Sequence, residues 1–106
     1  MSRGILAGLR VVEGSAFVAA PLGGMTLAQL GAEVIRFDPL GGGLDAARMP
    51  VTSAGASLFW AGMNKGKKSI AIDIARPEGQ ELATRLICAP GPQAGLFLTN
   101  FPPRGW

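Results

Sequence analysis

The chain has 106 residues, enough for one small domain and too few for two. Its residues are 48% hydrophobic and only 16% charged, a composition typical of a folded domain and not of a disordered segment. The formal net charge is +3 and the arginines are scattered along the chain. We therefore expect no basic face for a nucleic acid and no nucleic-acid partner.

The residue types also indicate a compartment. Cys88 is the only cysteine, which excludes an internal disulfide and favours a reducing, cytoplasmic location. Residues 15–32 are apolar, but Pro21 and several glycines interrupt them, and the run is shorter than the roughly 20 apolar residues of a membrane span. We expect a buried helix there and no membrane partner.

The first third of the chain predicts a strand, a helix and a second strand. Residues 9–13 are a β-rich run ending at a glycine, and Ser15 can cap a helix over residues 17–30. Small and apolar side chains four, three and four positions apart share one face of this helix and allow it to lie close to a sheet. They are Ala20, Gly24, Leu27 and Gly31. The last glycine is a natural helix stop, and residues 33–38 predict the second strand.

A long loop and a third strand follow. Residues 41–56 are glycine-rich and lack periodicity, which is typical of a functional or disordered loop. Residues 58–63 predict a short helix with aromatic side chains. Residues 68–74 predict a central strand whose isoleucines at positions 70, 72 and 74 face one way.

The last third predicts a helix and a strand. Pro77 starts the helix, Leu82 and Leu86 form its apolar stripe, and Glu81 pairs with Arg85 one turn on. Residues 95–100 predict a last strand, and residues 101–106 a rigid exit loop.

This alternation of strands and helices predicts an α/β, Rossmann-like fold with a mostly parallel sheet over residues 1–106. Ligands of such folds bind beyond the carboxyl ends of the strands. The predicted ends lie at residues 14–19, 38–43 and 100–104, so these segments form the candidate ligand site.

The candidate site suits a nucleotide-containing cofactor, but each of its features also has a purely structural explanation. The helix start near Phe17 presents backbone N–H groups to a phosphate, and lysines at positions 65, 67 and 68 could add positive charge. Against this, the Gly14 turn lacks a full Gly-x-Gly-x-x-Gly pattern, and three lysines are usual in a solvent-exposed loop. Asp38 could cap a turn instead of meeting a ribose, and Asn100 could brace the prolines that follow it.

Catalytic and metal-binding patterns are absent from the sequence. Without histidine, no histidine-based triad or general base can form within these residues. Cys88 falls at a helix end and is expected to be a packing residue. The acidic residues are scattered, so we expect no metal site.

An ordered series of segments resembles the start of the family III CoA-transferases, which include formyl-CoA transferase, carnitine CoA-transferase and α-methylacyl-CoA racemase. The series begins with residues 6–13 and 20–36. Residues 59–69 resemble the family's N-x-x-K-R-S region, and Thr99-Asn100-Phe101-Pro102-Pro103 resembles its E-N-F-x-P-G turn. Residues 13–21, 37–43 and 100–106 are most similar to the members that move CoA between the two carboxyl groups of mesaconate.

The resemblance implies a mechanism. Family members attack an acyl-CoA thioester with an aspartate carboxylate, which forms a mixed anhydride and then an aspartyl-CoA thioester. That aspartate lies beyond the point matching Trp106, and none of Asp38, Asp45 and Asp73 matches it. We therefore assign no catalytic residue and expect an N-terminal fragment that is inactive alone. Family members are interlocked homodimers, which a piece of this length cannot form.

The resemblance also implies where coenzyme A is contacted. The matching positions are Phe17, Val18, Ala19, Ile72, Asp73, Ile74, Asn100 and Phe101. A basic residue often follows the second strand in this family, but Pro39 stands here, so the chain departs from the family at this phosphate contact. The alternatives are a fragment of an α-methylacyl-CoA racemase-type enzyme, a non-catalytic CoA- or nucleotide-binding module, and an α/β domain with no ligand.

Overall fold

Four parallel strands form the sheet at the centre of the structure, a computed structural model that describes residues 4–102. The elements are β1 (Leu9–Gly14), α1 (Ala19–Gln29), β2 (Glu33–Asp38), α2 (Leu58–Met63), β3 (Lys68–Ala71), α3 (Pro77–Cys88) and β4 (Gln93–Thr99). The strand order is β3-β2-β1-β4, and every neighbouring pair is parallel. The predicted α/β, Rossmann-like fold is thus confirmed. Residues 103–106 of the predicted exit loop lie outside the described residues.

The connections reverse direction at β1. The chain moves outward from β1 through β2 to β3, and α3 then returns it across the sheet so that β4 pairs with the other side of β1. The carboxyl ends of β1 and β4 therefore flank the topological switch point, where ligands of open α/β sheets bind.

The two central strands, β1 and β2, are the most buried strands of the sheet, and apolar clusters lie on both of its faces. On the α3 side Val12, Phe37, Ile72 and Ala83 form one buried cluster, against which Leu86 and Ile87 of α3 pack. On the α1 side Val11, Ala32 and Val34 form a second cluster, against which Leu27 and Ala28 of α1 pack. Burying each large apolar side chain contributes about 1.5–3 kcal/mol.

The start of α1 differs from the prediction. The helix begins at Ala19, two residues later than predicted, and its N-cap, Val18, makes no side-chain hydrogen bond. Ser15 does not cap the helix, because its hydroxyl donates to Glu13 Oε2 at 2.5 Å. The predicted stop is confirmed: Gly31 adopts a left-handed φ of 109°, which glycine tolerates best.

The third strand is shorter than predicted and lies at the edge of the sheet, not at its centre. It ends at Ala71, although the N–H of Ile72 still donates to Asp38 O at 2.8 Å. Ile70 is 44% exposed and Ile72 is buried. Alternation in the sequence predicted a strand but could not show which neighbours would cover it.

The packing face of α3 also differs from the prediction. Gly79 and Ala83 are the buried residues of this helix, whereas Leu82 is 58% exposed and lies outside the apolar stripe. The predicted pair is present, with Arg85 Nη2 2.7 Å from Glu81 Oε1. The last strand begins at Gln93, two residues earlier than predicted.

Within residues 4–102, none of the helices combines the length and the apolar character that crossing a membrane requires.

Candidate functional site

The loop between β1 and α1 lies at the switch point and has a strained backbone. Phe17 adopts a φ of 68°, in the left-handed region that bulky residues avoid. Such a conformation costs on the order of 1–3 kcal/mol and persists only where the surroundings hold it. The N–H of Phe17 donates to Asp45 Oδ2 at 2.9 Å, so a carboxylate from the long β2–α2 loop holds this residue.

Asn100, directly after β4, holds the preceding residue of the same loop. Its Oδ1 accepts from the N–H of Ala16 at 3.1 Å, and its Nδ2 donates to the carbonyl of Ala16 at 2.7 Å. The amide therefore pairs with Ala16 as a neighbouring strand would. The side chain of Asn100 thus contacts a residue 84 positions earlier in the chain.

A buried ionic network lies beneath the loop, with Arg36 of β2 at its centre. The guanidinium is 1% exposed and donates through Nε to Asp38, at 3.1 Å to Oδ1. Nη2 donates to Asp45 Oδ1 at 3.1 Å and to the carbonyl of Ser15 at 3.0 Å. Nη1 donates to Asn64 Oδ1 at 2.7 Å. Asp38 thus serves as an ion-pair partner of Arg36.

Lys67 belongs to this network and not to a solvated loop. Its Nζ donates to Glu13 Oε2 at 2.9 Å, to Asn64 Oδ1 at 2.7 Å and to the carbonyl of Pro21 at 2.9 Å. Its side chain is 2% exposed, and this burial lowers the pKa of Lys67, against the opposing effect of Glu13.

The other two lysines of the cluster are exposed and do not join Lys67 in a phosphate site. Lys65 is exposed, and Lys68 pairs with Glu33 at 2.5 Å. Glu33 and Lys68 are the first residues of β2 and β3, which places the pair at the amino edge of the sheet, away from the switch point.

The position of the Glu13 side chain explains why residue 24 of α1 is a glycine. Its Oε1 is buried and has no hydrogen-bond partner among residues 4–102. This oxygen lies against Gly24, where a Cβ atom would come within 1.7 Å of it. The predicted close approach of the helix to the sheet is confirmed, and it takes place over a charged side chain.

Three consecutive loop residues are therefore each held by a side chain from elsewhere. Arg36 holds Ser15, Asn100 holds Ala16 and Asp45 holds Phe17. The backbone N–H groups of the next three residues, which open α1, have no acceptor within the described part of the chain. The result is a fixed loop that leads into a helix start open to an anion.

The structure divides the predicted CoA contacts into two groups at one edge of the sheet. Phe17, Val18 and Ala19 follow β1, while Asn100 and Phe101 follow β4, so both sets lie at the switch point, where Asn100 bonds to Ala16. The other group, Ile72, Asp73 and Ile74, follows β3, two strands from β1 and so roughly 10 Å away. Ile72 and Asp73 line a cleft of about 390 Å³ together with Arg76 and Leu82.

Reasoning from the sequence missed the ionic network. Arg36 and Glu13 were visible as charged residues within predicted strands, and buried charges are paired as a rule. That pattern predicts that each has a buried partner of opposite charge, but it does not show which residues those partners are.

Among residues 4–102, the arrangement offers backbone N–H groups to a ligand and no unpaired buried carboxylate. The buried carboxylates of Glu13, Asp38 and Asp45 are all ion-paired. Cys88 is exposed, so its expected packing role is wrong. No group of three potential metal ligands occurs among the described residues.

Comparison with known proteins identifies the family. The model of CoA-transferase family III matches residues 6–106, so the chain belongs to that family. The chain is 79% identical over 105 residues to 2-methylfumaryl-CoA isomerase of Chloroflexus aurantiacus, covering 98% of this chain and 26% of the relative. It is 42% identical over 97 residues to succinyl-CoA–D-citramalate CoA-transferase of the same organism, covering 90% of this chain and 23% of the relative.

A solved structure shares the fold. A CAIB/BAIF family protein from Brucella suis superposes with a TM-score of 0.83 at 31% identity, covering 98% of this chain and 28% of that protein. The chain thus spans about a quarter of the length of the relatives it matches.

Proposed function

We propose that residues 1–106 form the N-terminal, CoA-binding part of a longer family III CoA-transferase that isomerises 2-methylfumaryl-CoA. CoA would move between the two carboxyl groups of one acid. The observation that carries the proposal is the 79% identity to 2-methylfumaryl-CoA isomerase over 98% of this chain. The parent enzyme would be a cytoplasmic, interlocked homodimer.

The fixed β1–α1 loop supports a role in holding CoA. Its open N–H groups suit a phosphate or another oxyanion, and no reorganisation is needed because side chains already hold Ser15, Ala16 and Phe17. The cleft after β3 is proposed as a second contact region on the same edge; Asp73, Arg76 and Glu78 line it, and Arg76 Nε lies 3.7 Å from Glu78 Oε2. Pro39 is exposed after β2 and supplies no charge.

The attacking carboxylate would come from polypeptide beyond these residues. Asp38 and Asp45 are engaged by Arg36, and Asp73 accepts from the N–H of Ala75 at 3.2 Å. A carboxylate that neutralises a buried arginine is a poor nucleophile toward a thioester. In this proposal the chain binds and orients the CoA part of the substrate.

A chimeric enzyme tests the proposed activity. This chain replaces the matching residues of the Chloroflexus isomerase, and the product is assayed with 2-methylfumaryl-CoA. We expect kcat/KM within about tenfold of the parent, since four of five residues are unchanged. A folded chimera without this activity would contradict the proposal. The second candidate reaction is that of succinyl-CoA–D-citramalate CoA-transferase, to which the chain is 42% identical. Turnover of succinyl-CoA with D-citramalate by the chimera would favour this reaction.

Variants of the 106-residue chain test the binding site. Asn100→Ala removes both hydrogen bonds to Ala16 and should weaken CoA binding about tenfold, measured by titration followed by heteronuclear NMR. Gln93→Ala, at the exposed opposite end of β4, is the matched control and should leave the Kd unchanged. Equal dissociation constants for Asn100→Ala and the unaltered chain would remove Asn100 from the site.

A further inference from the structure

Arg48, in the long β2–α2 loop, holds its guanidinium over two aromatic rings. The guanidinium carbon lies 5.1 Å from the ring centroid of Phe17 and 4.5 Å from that of Phe59. Its backbone is fixed on both sides, because its N–H donates to Asp45 O at 3.2 Å and its carbonyl accepts from Ser57 Oγ at 2.5 Å. The side chain is therefore directed to one place, beside the strained residue of the β1–α1 loop.

The guanidinium of Arg48 has no carboxylate partner among residues 4–102. This distinguishes it from Arg36 and Lys67, whose charges are neutralised inside the network. An arginine stacked on aromatic faces keeps its N–H donors at the edge of the guanidinium plane, where they can meet a planar acceptor. Arg48 thus presents an unpaired, oriented cation at the edge of the candidate site.

We propose that Arg48 binds the free carboxylate of the acyl group when the bound thioester is that of a dicarboxylic acid. The inference rests on the proposed function, under which the substrate is a thioester of 2-methylfumarate and so keeps one ionised carboxyl group. A carboxylate matches the two-pronged geometry of a guanidinium, and the aromatic rings fix that geometry before the ligand arrives. Arg48 then determines specificity for dicarboxylic over monocarboxylic acyl groups.

Two stable CoA thioethers test this role with the 106-residue chain. S-(3-carboxypropyl)-CoA and S-butyl-CoA have the same chain length and differ in one carboxylate. Their dissociation constants, and that of CoA, are measured by NMR titration for the unaltered chain, Arg48→Gln and Arg48→Lys. The spectrum of each variant reports whether the fold is retained. Arg85→Gln, which removes an exposed arginine of α3, is the matched control.

We expect the unaltered chain to bind the carboxypropyl thioether at least about tenfold more tightly than the butyl thioether. Arg48→Gln should abolish this preference and leave the affinities for CoA and S-butyl-CoA within about twofold. Arg48→Lys keeps the charge without the planar fork and should retain part of the preference. Arg85→Gln should change none of the three constants.

Three results would overturn the proposal. An equal loss of affinity for all three ligands in Arg48→Gln would assign Arg48 to a CoA phosphate or to the structure of the loop. Binding of CoA without any preference for the carboxylate would reject the role of Arg48 and leave the proposed CoA site intact. Failure of the unaltered chain to bind CoA would reject both.

Discussion

The replacement of Arg36 by methionine tests whether the ionic network holds the fold together. The guanidinium is 1% exposed and neutralises Asp38 and Asp45, while methionine fills a similar volume without charge. Removing one partner of a buried ion pair costs about 3–5 kcal/mol, because the remaining charges stay buried and uncompensated. A domain of this size is stable by only about 5–15 kcal/mol, so the loss is a large fraction of the total.

Urea unfolding of the 106-residue chain measures this loss. With an m-value of about 2 kcal/mol/M, a loss of about 4 kcal/mol lowers the unfolding midpoint by about 2 M. Arg85→Met breaks an exposed pair worth only about 0.3–0.5 kcal/mol and should shift the midpoint by less than about 0.3 M. In the Arg36→Met variant, Asp45→Asn removes a carboxylate that has lost its partner. The further loss of stability should therefore be smaller than the loss that Asp45→Asn causes in the unaltered chain. A shift below about 0.5 M for Arg36→Met would refute the reasoning.

Three further predictions concern stability, each followed by urea unfolding. Burial lowers the pKa of Lys67, so as the pH approaches the ordinary lysine value the unfolded chain binds more protons there than the folded chain. Relative to Lys67→Met, the unaltered chain should therefore gain stability as the pH rises toward the ordinary lysine value of about 10.4, and a flat difference would contradict this. Gly24→Ala places a methyl group on a buried carboxylate oxygen and should cost about 1–3 kcal/mol or more. Gly23→Ala meets only ordinary contact and should stabilise α1 by about 0.5–1 kcal/mol, so similar effects of the two changes would count against the packing described. Ile72→Asp buries an unpaired charge and should cost more than about 3 kcal/mol, whereas Ile70→Asp, at a 44% exposed position, should cost less than about 1 kcal/mol; the reverse order would show that the end of β3 is misplaced.

Local sequence patterns predicted the elements well because the signals that define them are local. The second strand and the second helix have the predicted bounds, 33–38 and 58–63, since Pro39 ends the first pattern and a polar turn containing Gly66 ends the second. The edge position of β3 could not be predicted, because alternation of strands and helices does not determine the strand order.

The contacts that shape the candidate site could not be predicted for the same reason. Lys67 and Glu13 are 54 positions apart, and Asn100 and Ala16 are 84 apart. Charge and hydrogen-bonding capacity are visible at each position, but the pairing is set by the way the strands order in the sheet. The sequence therefore located the carboxyl ends of the strands and missed the side chains that hold the loops there.

The anchors of the β1–α1 loop should affect ligand binding more than stability. Phe17 keeps a left-handed backbone whose cost, about 1–3 kcal/mol, is offset by Asp45 and Asn100. When one anchor is lost, the loop can relax and recover part of this strain, which limits the loss of stability. The same relaxation moves the N–H groups at the start of α1 away from the positions in which a ligand would meet them. Substitution of Asn100, 84 positions from Ala16, should therefore weaken CoA binding by a larger factor than it lowers the folding equilibrium constant.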